Sequence, residues 1–426
     1  MTLALMVVAV LVLLAIRVPV AFALLVPSLV YITVTPGVSI DVAMQQTLSG
    51  VNSFPILAVP MFILLGNIAN ESGITDRMYS AAVAFLGHLR GSLGYVNIAT
   101  SFGFSWMSGA AIADAAAMGR VQVPQMVKRG YPAGFSVGLT GASSLIAPII
   151  PPSIAAIVYA VTAGLSVGAM FVVGIVPAVM LLIALCVMVW WTLRKRDDLR
   201  GERATWGARG RALAAAIAPA GAAIVILGSI LAGIATPTEA AGLGVVYVLI
   251  LAIVYKKLTW QSLAKSFVQT AQTSGSVLLI VATAALFGWV LARERAPQVA
   301  AEAMLEITTY TVVFLIIVNV LLLVVGALLE STSAILILVP VLAPVAETFG
   351  VDPYHFAAIV IFNLLLGLLT PPVGMVLFVL SSTTGYKVST IIRGVLPFFI
   401  PMLLVLLLVT FVPVLSTGLP ALLGYV

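Results

Sequence analysis

Long apolar stretches separated by short charged ones dominate the hydrophobic pattern of the chain. Long runs without Asp, Glu, Lys or Arg include 18–40, 42–70, 130–193, 212–238, 266–292, 353–386 and 394–426. A helix needs roughly 20 apolar residues to cross the hydrocarbon core of a bilayer, and most of these runs are long enough. The pattern therefore predicts an all-α polytopic membrane protein.

Glycines and prolines recur at one fixed spacing in the two halves of the chain. Six of them have a counterpart of the same type 220 residues later: Pro124, Gly130, Pro151, Pro152, Gly174 and Pro177 pair with Pro344, Gly350, Pro371, Pro372, Gly394 and Pro397. Apolar segments near 3–16, 18–34 and 51–72 likewise correspond to 223–236, 238–254 and 271–291. Since Gly and Pro fix backbone geometry, the spacing predicts two structural repeats, 1–205 and 206–426.

The basic residues give the two repeats opposite orientations. Lys128 and Arg129 precede the helix that begins near Pro132, whereas Lys387 and Arg393 follow the equivalent helix of the second repeat. Because basic residues concentrate in cytoplasmic loops, the first helix runs outward and the second inward. We therefore predict inverted repeats. The loops 194–211 and 256–265 are placed in the cytoplasm, and residues 35–50, 292–309 and both termini outside.

Two segments, 95–125 and 311–346, do not fit as single spans. Each has small polar residues at its middle, "FSWMSGAAIAD" at 104–114 and "GALLESTSAI" at 326–335. The loops before and after each segment are predicted to lie on the same side of the membrane, so each segment must enter and leave the membrane on that side. Irregular backbone is tolerated at membrane depth only inside protein or beside a wet cavity. We therefore predict two re-entrant helical hairpins that enter from opposite faces.

A helix interrupted by prolines follows each hairpin, at "GASSLIAPIIPPS" (141–153) and "LGLLTPPVG" (366–374). Adjacent prolines remove backbone donors and unwind a helix, which frees carbonyl oxygens and creates half-helix N-termini. Carbonyls and hydroxyls suit a hard cation such as sodium, and helix N-termini suit a carboxylate. Inverted repeats with broken helices are typical of secondary transporters.

Composition excludes several other classes of protein. Hydrophobic residues make up 62% of the 426 residues and charged ones only 8%, against about 25% charged in soluble domains. This excludes a soluble enzyme, a nucleic-acid binder and a disordered chain. No phosphate-binding "GxxxxGK[ST]" motif occurs, so a gradient is the expected energy source. A membrane enzyme is disfavoured because Cys186, His88 and His355 form no nucleophile–base pair or metal-ligand cluster; the expected metal is sodium only, with no cofactor.

Three acidic residues in apolar surroundings have distinct expected roles. "TPTEA" at 236–240 predicts a capping box, with Thr236 as N-cap and Glu239 as its partner. Asp114 lies past the first hairpin tip, toward the cytoplasmic interface, and Glu330 stands at the second tip. The last two are candidates for substrate binding or gating, together with Ser143, Pro151, Ser153 and Ser333.

With these motifs the chain resembles the large membrane subunit of a tripartite ATP-independent periplasmic (TRAP) transporter, within the wider ion-transporter superfamily. The resemblance covers essentially the whole length and rests on "RVPVAFAL" at 17–24, the serine-glycine hairpin at 105–109, "PIIPPS" at 148–153, "TPTEAAG" at 236–242 and "TPPVG" at 370–374. It implies sodium-coupled uptake of an organic acid such as a C4-dicarboxylate or sialic acid at the bacterial inner membrane. A self-sufficient sodium/carboxylate symporter of the same superfamily is the alternative.

The resemblance also implies an elevator mechanism, partners and ion ligands. Scaffold helices would lie in 1–92 and 212–309, and the moving transport elements in 93–194 and 310–413. The partners would be a small four-helix membrane subunit on a separate chain and a periplasmic substrate-binding protein. One sodium site would use Ser105, Ser108, Gly109, Ser144 and Pro148; the other would use Gly326, Ser331, Gly367, Thr370 and Pro371.

Overall fold

The computed structural model describes residues 2–425, which form helices and contain no strand. Two short 3₁₀ turns, Phe54–Leu57 and Asp197–Leu199, join the α-helices. The helices of the first half are α1 (Thr2–Ala15), α2 (Val20–Val34), α3 (Ile40–Val51), α4 (Ala58–Glu71), α5 (Ile74–Leu86), α6 (Ser92–Ser108), α7 (Ala111–Lys128), α8 (Ala133–Ser144), α9 (Ile154–Ala163) and α10 (Val167–Leu193).

The second half continues the same series. Its helices are α11 (Trp206–Leu231), α12 (Pro237–Val254), α13 (Trp260–Arg293), α14 (Ala296–Ile307), α15 (Thr311–Leu328), α16 (Ser331–Thr348), α17 (Pro353–Gly367), α18 (Met375–Thr384), α19 (Val388–Phe411) and α20 (Val414–Leu422). Over the described residues, eight helical segments are long and apolar enough to cross a membrane. The all-helical, membrane-spanning class predicted from the sequence is confirmed.

Helix boundaries in the two halves follow the spacing of the glycines and prolines. α7 begins at 111 and ends at 128, and α16 begins at 331 and ends at 348, 220 residues later at both ends. α6 ends at Ser108 and α15 at Leu328, again 220 apart. Both predicted hairpins are therefore present as pairs of helices separated by two residues.

The helices pack in two groups. α2, α3 and α4 pack on α13, α12 packs on α4 and α11, and α5 packs on α11. In the other group the partners are exchanged between the halves: α7 packs on α18 while α16 packs on α9, and α8 packs on α19 while α17 packs on α10. The exchange interleaves the hairpins and broken helices of the two halves.

Several stretches placed between predicted spans are helical. α3 overlaps almost all of 35–50 and ends at Val51, and α14 lies within 292–309. α11 begins at Trp206, inside the predicted loop 194–211, because the Thr205 hydroxyl accepts from the Ala208 amide and caps it. α13 begins at Trp260, inside the predicted loop 256–265, where Thr259 and Ser262 form a reciprocal cap.

The predicted capping box at the start of α12 is confirmed. The Thr236 amide donates to a carboxylate oxygen of Glu239 at 2.8 Å, and the Glu239 amide donates to the Thr236 hydroxyl at 3.3 Å. Pro237 occupies the first helical position, where its missing N–H leaves no bond unmade. Glu239 thus has a structural role.

Candidate functional site

The first hairpin turns on a glycine that presses against the broken helix behind it. Gly109 has φ +55°, in the left-handed region, and ends α6 with its amide on the Ser105 carbonyl. A Cβ added to Gly109 would lie 2.8 Å from the carbonyl oxygen of Pro152. Only glycine therefore lets the tip meet residues 145–153, which separate α8 from α9.

The second hairpin turns on an acidic residue that caps the following helix. The Glu330 carboxylate accepts from the hydroxyls of Ser331 and Thr332, both at 3.0 Å, and from the Ser333 amide at 3.1 Å. The three bonds satisfy this carboxylate locally. Glu330 is thus the N-cap of α16.

The second tip is also joined to its broken helix by backbone contact. The Gly374 amide donates to the Ala327 carbonyl at 3.1 Å. Gly326 and Gly367 touch directly, since a Cβ on Gly367 would lie 2.3 Å from the Gly326 carbonyl carbon. Each hairpin tip therefore rests on the irregular stretch that follows it, 145–153 or 368–374.

A cavity of about 640 Å³ joins the two tips, the two breaks and two helices of the other group. From the hairpins it is lined by Ser108, Gly109, Ala110, Ala111, Ile112, Ala113, Ala116, Glu330, Ser331 and Thr332; from the breaks and α9 by Pro148, Ile154, Ala155 and Leu368; and from α4 and α13 by Ile63, Gly66, Asn67, Asn70, Gln272, Thr273, Ser276, Val277 and Ile280. Its volume lies within the range of small-molecule sites.

The polar wall supplied by α4 and α13 was missed by the sequence reasoning. Asn67 and Asn70 share a face of α4, and the Asn67 amide donates to the Thr270 hydroxyl of α13 at 2.9 Å. Gln272 and Ser276 share a face of α13. The available signal was polar residues at helical spacing inside predicted spans, above all "QTAQTSGS" at 269–276.

The predicted residues of the first sodium site are brought to one region. Ser108, Gly109 and Pro148 line the cavity, and the buried Ser108 hydroxyl has no hydrogen-bond partner among the described residues. Ser105 and Ser144 are fully buried behind it. Their hydroxyls donate to carbonyls of their own helices, at 2.6 and 2.8 Å, and keep lone pairs for a ligand.

The predicted residues of the second sodium site are arranged in two layers. Ser331 lines the cavity, and Gly326 and Gly367 form the contact behind it. The Thr370 hydroxyl donates to the Leu366 carbonyl at 3.0 Å. Pro371 follows in the irregular stretch 368–374.

The remaining candidates lie outside the cavity lining, except Glu330. The Ser143 hydroxyl donates to Asn97 at 2.8 Å inside the α6–α8 packing. Ser153 caps α9, accepting from the Ala156 amide at 3.1 Å and donating to the Pro148 carbonyl. Pro151 is buried in the first break, and the buried Ser333 contributes its amide to Glu330.

Asp114 is enclosed by protein just after the first hairpin tip. It lies in the first turn of α7, three residues after the helix begins, with a fully buried side chain. Neither carboxylate oxygen has a hydrogen-bond partner within the described chain. The sequence placed Asp114 by counting from the tip and could not show its burial by the helices that pack on α7.

Positive potential in the cavity comes from helix ends. Among the described lining residues the only charged side chain is Glu330. The N-termini of α7, α9 and α16 all reach the cavity; Ser153 caps α9 and Glu330 caps α16, but Ala110 provides no side-chain cap for α7. The first backbone bond of α7 runs from Asp114 to Ala110, so the amides of residues 111–113 have no intrahelical acceptor.

Comparisons with known proteins identify the family of the chain. A family model described as the DctM component of the tripartite ATP-independent periplasmic transporter matches residues 7–415. The sialic acid TRAP transporter large permease protein SiaM of Vibrio cholerae is 40% identical over 409 residues, covering 96% of each chain. The C4-dicarboxylate TRAP transporter large permease protein DctM of Rhodobacter capsulatus is 36% identical over 421 residues, covering 95% of this chain and 96% of that one.

Two solved structures share the fold at low sequence identity. The YdaH transporter of Alcanivorax borkumensis superposes with a TM-score of 0.55 at 16% identity and covers 96% of this chain and 97% of its own. MtrF of Neisseria gonorrhoeae gives 0.51 at 14% identity and covers 96% and 94%. The eight candidate spans, the family model and the named relatives together define a multi-pass membrane permease rather than an enzyme.

The chain belongs to the DctM family and is the large permease component of a TRAP transporter. It is a multi-pass protein of the bacterial inner membrane. The family predicted from the sequence motifs is confirmed.

Proposed function

We propose that this permease imports an organic acid by sodium-coupled transport, with the hairpins and broken helices moving as one body against the other helices. The observation that carries the proposal is the single cavity lined by both tips, both breaks and the polar faces of α4 and α13. Substrate sites of secondary transporters form where discontinuous helices meet.

The carboxylate of the substrate is proposed to bind at the N-terminus of α7. Free helix amides favour an anion, and the unpartnered Ser108 hydroxyl adjoins them in the same cavity. Residue 110 corresponds to residue 330 at the 220-residue spacing. In the second hairpin Glu330 supplies a carboxylate to α16; in the first, alanine leaves that place for a ligand.

Two sodium ions are proposed to bind, one between each hairpin tip and the helix break behind it. The first would be held by Ser105, Ser108, Gly109, Ser144 and Pro148, and the second by Gly326, Ser331, Gly367, Thr370 and Pro371. Close backbone contact at Gly109–Pro152 and at Gly326–Gly367 supports a compact oxygen-rich setting on both sides. Carbonyl and hydroxyl oxygens without thiolate or imidazole favour a hard cation.

Inverted repeats and an elevator movement are proposed from the packing. The exchanged pairs α7–α18 and α16–α9 interleave the two halves. We propose that 93–194 and 310–413 form the moving unit, and that 1–92 and 212–309 form the scaffold. The division at 205/206 falls directly before Trp206, the first residue of α11. Such interleaving supports movement of the hairpins as a body.

The proposed partners are a small four-helix membrane subunit and a periplasmic substrate-binding protein. The family description, tripartite and periplasmic, supports both. The small subunit is proposed to contact 18–34 and 238–254, where apolar residues such as Val26, Val30, Val246 and Ile250 are about half exposed. Sialic acid and C4-dicarboxylates, named for the relatives, are the proposed substrate classes.

Uptake into proteoliposomes tests this function. We expect accumulation of labelled sialic acid or a C4-dicarboxylate only when the chain, its small subunit and the binding protein are combined under an inward sodium gradient. Full uptake by the chain alone would favour the stand-alone symporter. Membership of the TRAP family does not favour that alternative. Equal uptake after replacing sodium with choline would contradict sodium coupling.

Thiol labelling in intact cells tests the inverted topology. In a Cys186→Ala background, cysteines replacing the exposed Pro36 and the loosely packed Gly418 should react with an impermeant reagent, and Arg203→Cys should not. Arg203 is chosen because a Cβ on the neighbouring Gly201 would lie 2.5 Å from the Gly87 carbonyl. Labelling of position 203 from outside would overturn the assignment.

A further inference from the structure

A second cavity, of about 400 Å³, lies between the start of α8, the end of α10 and the start of α19, away from the site described above. It is lined by Gly134, Phe135, Met188, Thr192, Thr390, Arg393, Gly394, Pro397 and Phe398. Its walls are mostly apolar, and its polar groups are two hydroxyls and one guanidinium.

The cavity opens beside a close helix crossing. A Cβ on Gly394 would lie 2.0 Å from the Gly134 carbonyl oxygen, so α8 and α19 meet backbone to backbone. In the other half, four residues 220 positions earlier, Met170, Val173, Gly174 and Pro177, line a space of only about 20 Å³. The two halves therefore differ here: one place is filled by side chains and the other is open.

Arg393 distinguishes the larger cavity from the small space in the other half, where the residue 220 positions earlier is Val173. The Arg393 side chain is exposed and belongs to none of the three ion pairs found in the described chain. Three further basic residues stand at the C-terminal ends of α7 and α10: Lys128, Arg129 and Arg194. No acidic residue is among the described residues that line the cavity.

The outer face of α19 continues from the cavity as an apolar surface. Leu396, Ile400 and Leu404, four residues apart, are 53%, 64% and 56% exposed. In a membrane protein such a face contacts acyl chains. A ligand that reaches both the guanidinium and this face must be amphiphilic.

We propose that this cavity binds an anionic phospholipid of the cytoplasmic leaflet. Its phosphate would pair with Arg393 and accept from Thr192 and Thr390, and its acyl chains would follow Pro397 and the exposed face of α19. Basic pockets between membrane helices on the cytoplasmic side are suited to anionic headgroups. The proposal is independent of sodium coupling and of the transported substrate.

Native mass spectrometry of the delipidated chain tests the proposal. Dioleoylphosphatidylglycerol is titrated against dioleoylphosphatidylcholine, and bound lipid is counted for the wild type, Arg393→Gln and Arg211→Gln. We expect selective phosphatidylglycerol binding that weakens roughly fivefold in Arg393→Gln, since one basic group at the surface contributes about 1 kcal/mol. Arg211→Gln removes the same charge from an exposed residue outside the cavity and should leave binding unchanged.

A filling variant and a soluble competitor separate the remaining outcomes. Thr192→Trp keeps the charge but occupies the cavity, and we expect it to lose the same lipid. Competition by sn-glycerol 1-phosphate as strong as that by phosphatidylglycerol would show a site for soluble anions and overturn the lipid assignment. Equal binding by wild type, Arg393→Gln and Thr192→Trp would also overturn it.

Discussion

Ala110→Glu is expected to lower organic-acid uptake on the order of a hundredfold. The new carboxylate would occupy the free amides of residues 111–113 as Glu330 occupies the start of α16. It would also repel a substrate anion, since like charges brought together cost several kcal/mol. Each cost of about 1.4 kcal/mol weakens substrate binding tenfold. Initial uptake rates into proteoliposomes under an inward sodium gradient measure the loss.

Ala110→Gln is the matched control for this substitution. It adds nearly the same volume without the charge, so we expect a much smaller loss of uptake. The Glu variant should be at least as stable as the wild type in thermal unfolding, because an acidic residue at a helix N-terminus contributes about 0.3–1 kcal/mol. Equal uptake by the Glu and Gln variants would rule out carboxylate binding at α7.

The second large effect is expected from removing one hydroxyl in each proposed sodium site. Ser108→Ala and Thr370→Ala should each raise the sodium concentration for half-maximal uptake roughly fivefold to over a hundredfold, since one lost polar partner is worth about 1–3 kcal/mol. Backbone carbonyls remain, so uptake should partly recover at high sodium. Sodium titration of uptake gives the shift.

Ser382→Ala provides the control, because it removes a hydroxyl from an exposed position of α18. We expect its sodium dependence to match the wild type. If Ser108→Ala and Thr370→Ala also match it in well-folded protein, the two-site model is wrong. If only one of the two variants shifts the sodium dependence, the hydroxyl removed in the other variant is not a sodium ligand.

Local backbone chemistry explains why much of the architecture could be predicted from the sequence. The adjacent prolines at 151–152 and 371–372 lie in helix breaks, whereas the single prolines Pro124 and Pro344 lie inside α7 and α16. The glycine at 109 permits a turn without help from distant residues. The two hairpins and two broken helices therefore follow from residue types and their spacing. The family motifs rest on these same positions.

The far wall of the cavity could not be predicted in the same way. Asn67 and Gln272 are about 200 residues apart and meet only through the packing of α4 on α13. Asp114 shows the same limitation, because its burial depends on neighbouring helices. The sequence indicated which residues break helices but not which polar residues of intact helices face the breaks.

The glycine contact between α15 and α17 restricts how access to the cavity can alternate. With no side chain between Gly326 and Gly367, the second hairpin cannot swing open by a rotamer change. It would have to separate two backbones and break the Gly374–Ala327 hydrogen bond. Opening of the second hairpin alone is therefore disfavoured. The hairpin and the broken helix behind it should instead move together as one rigid unit.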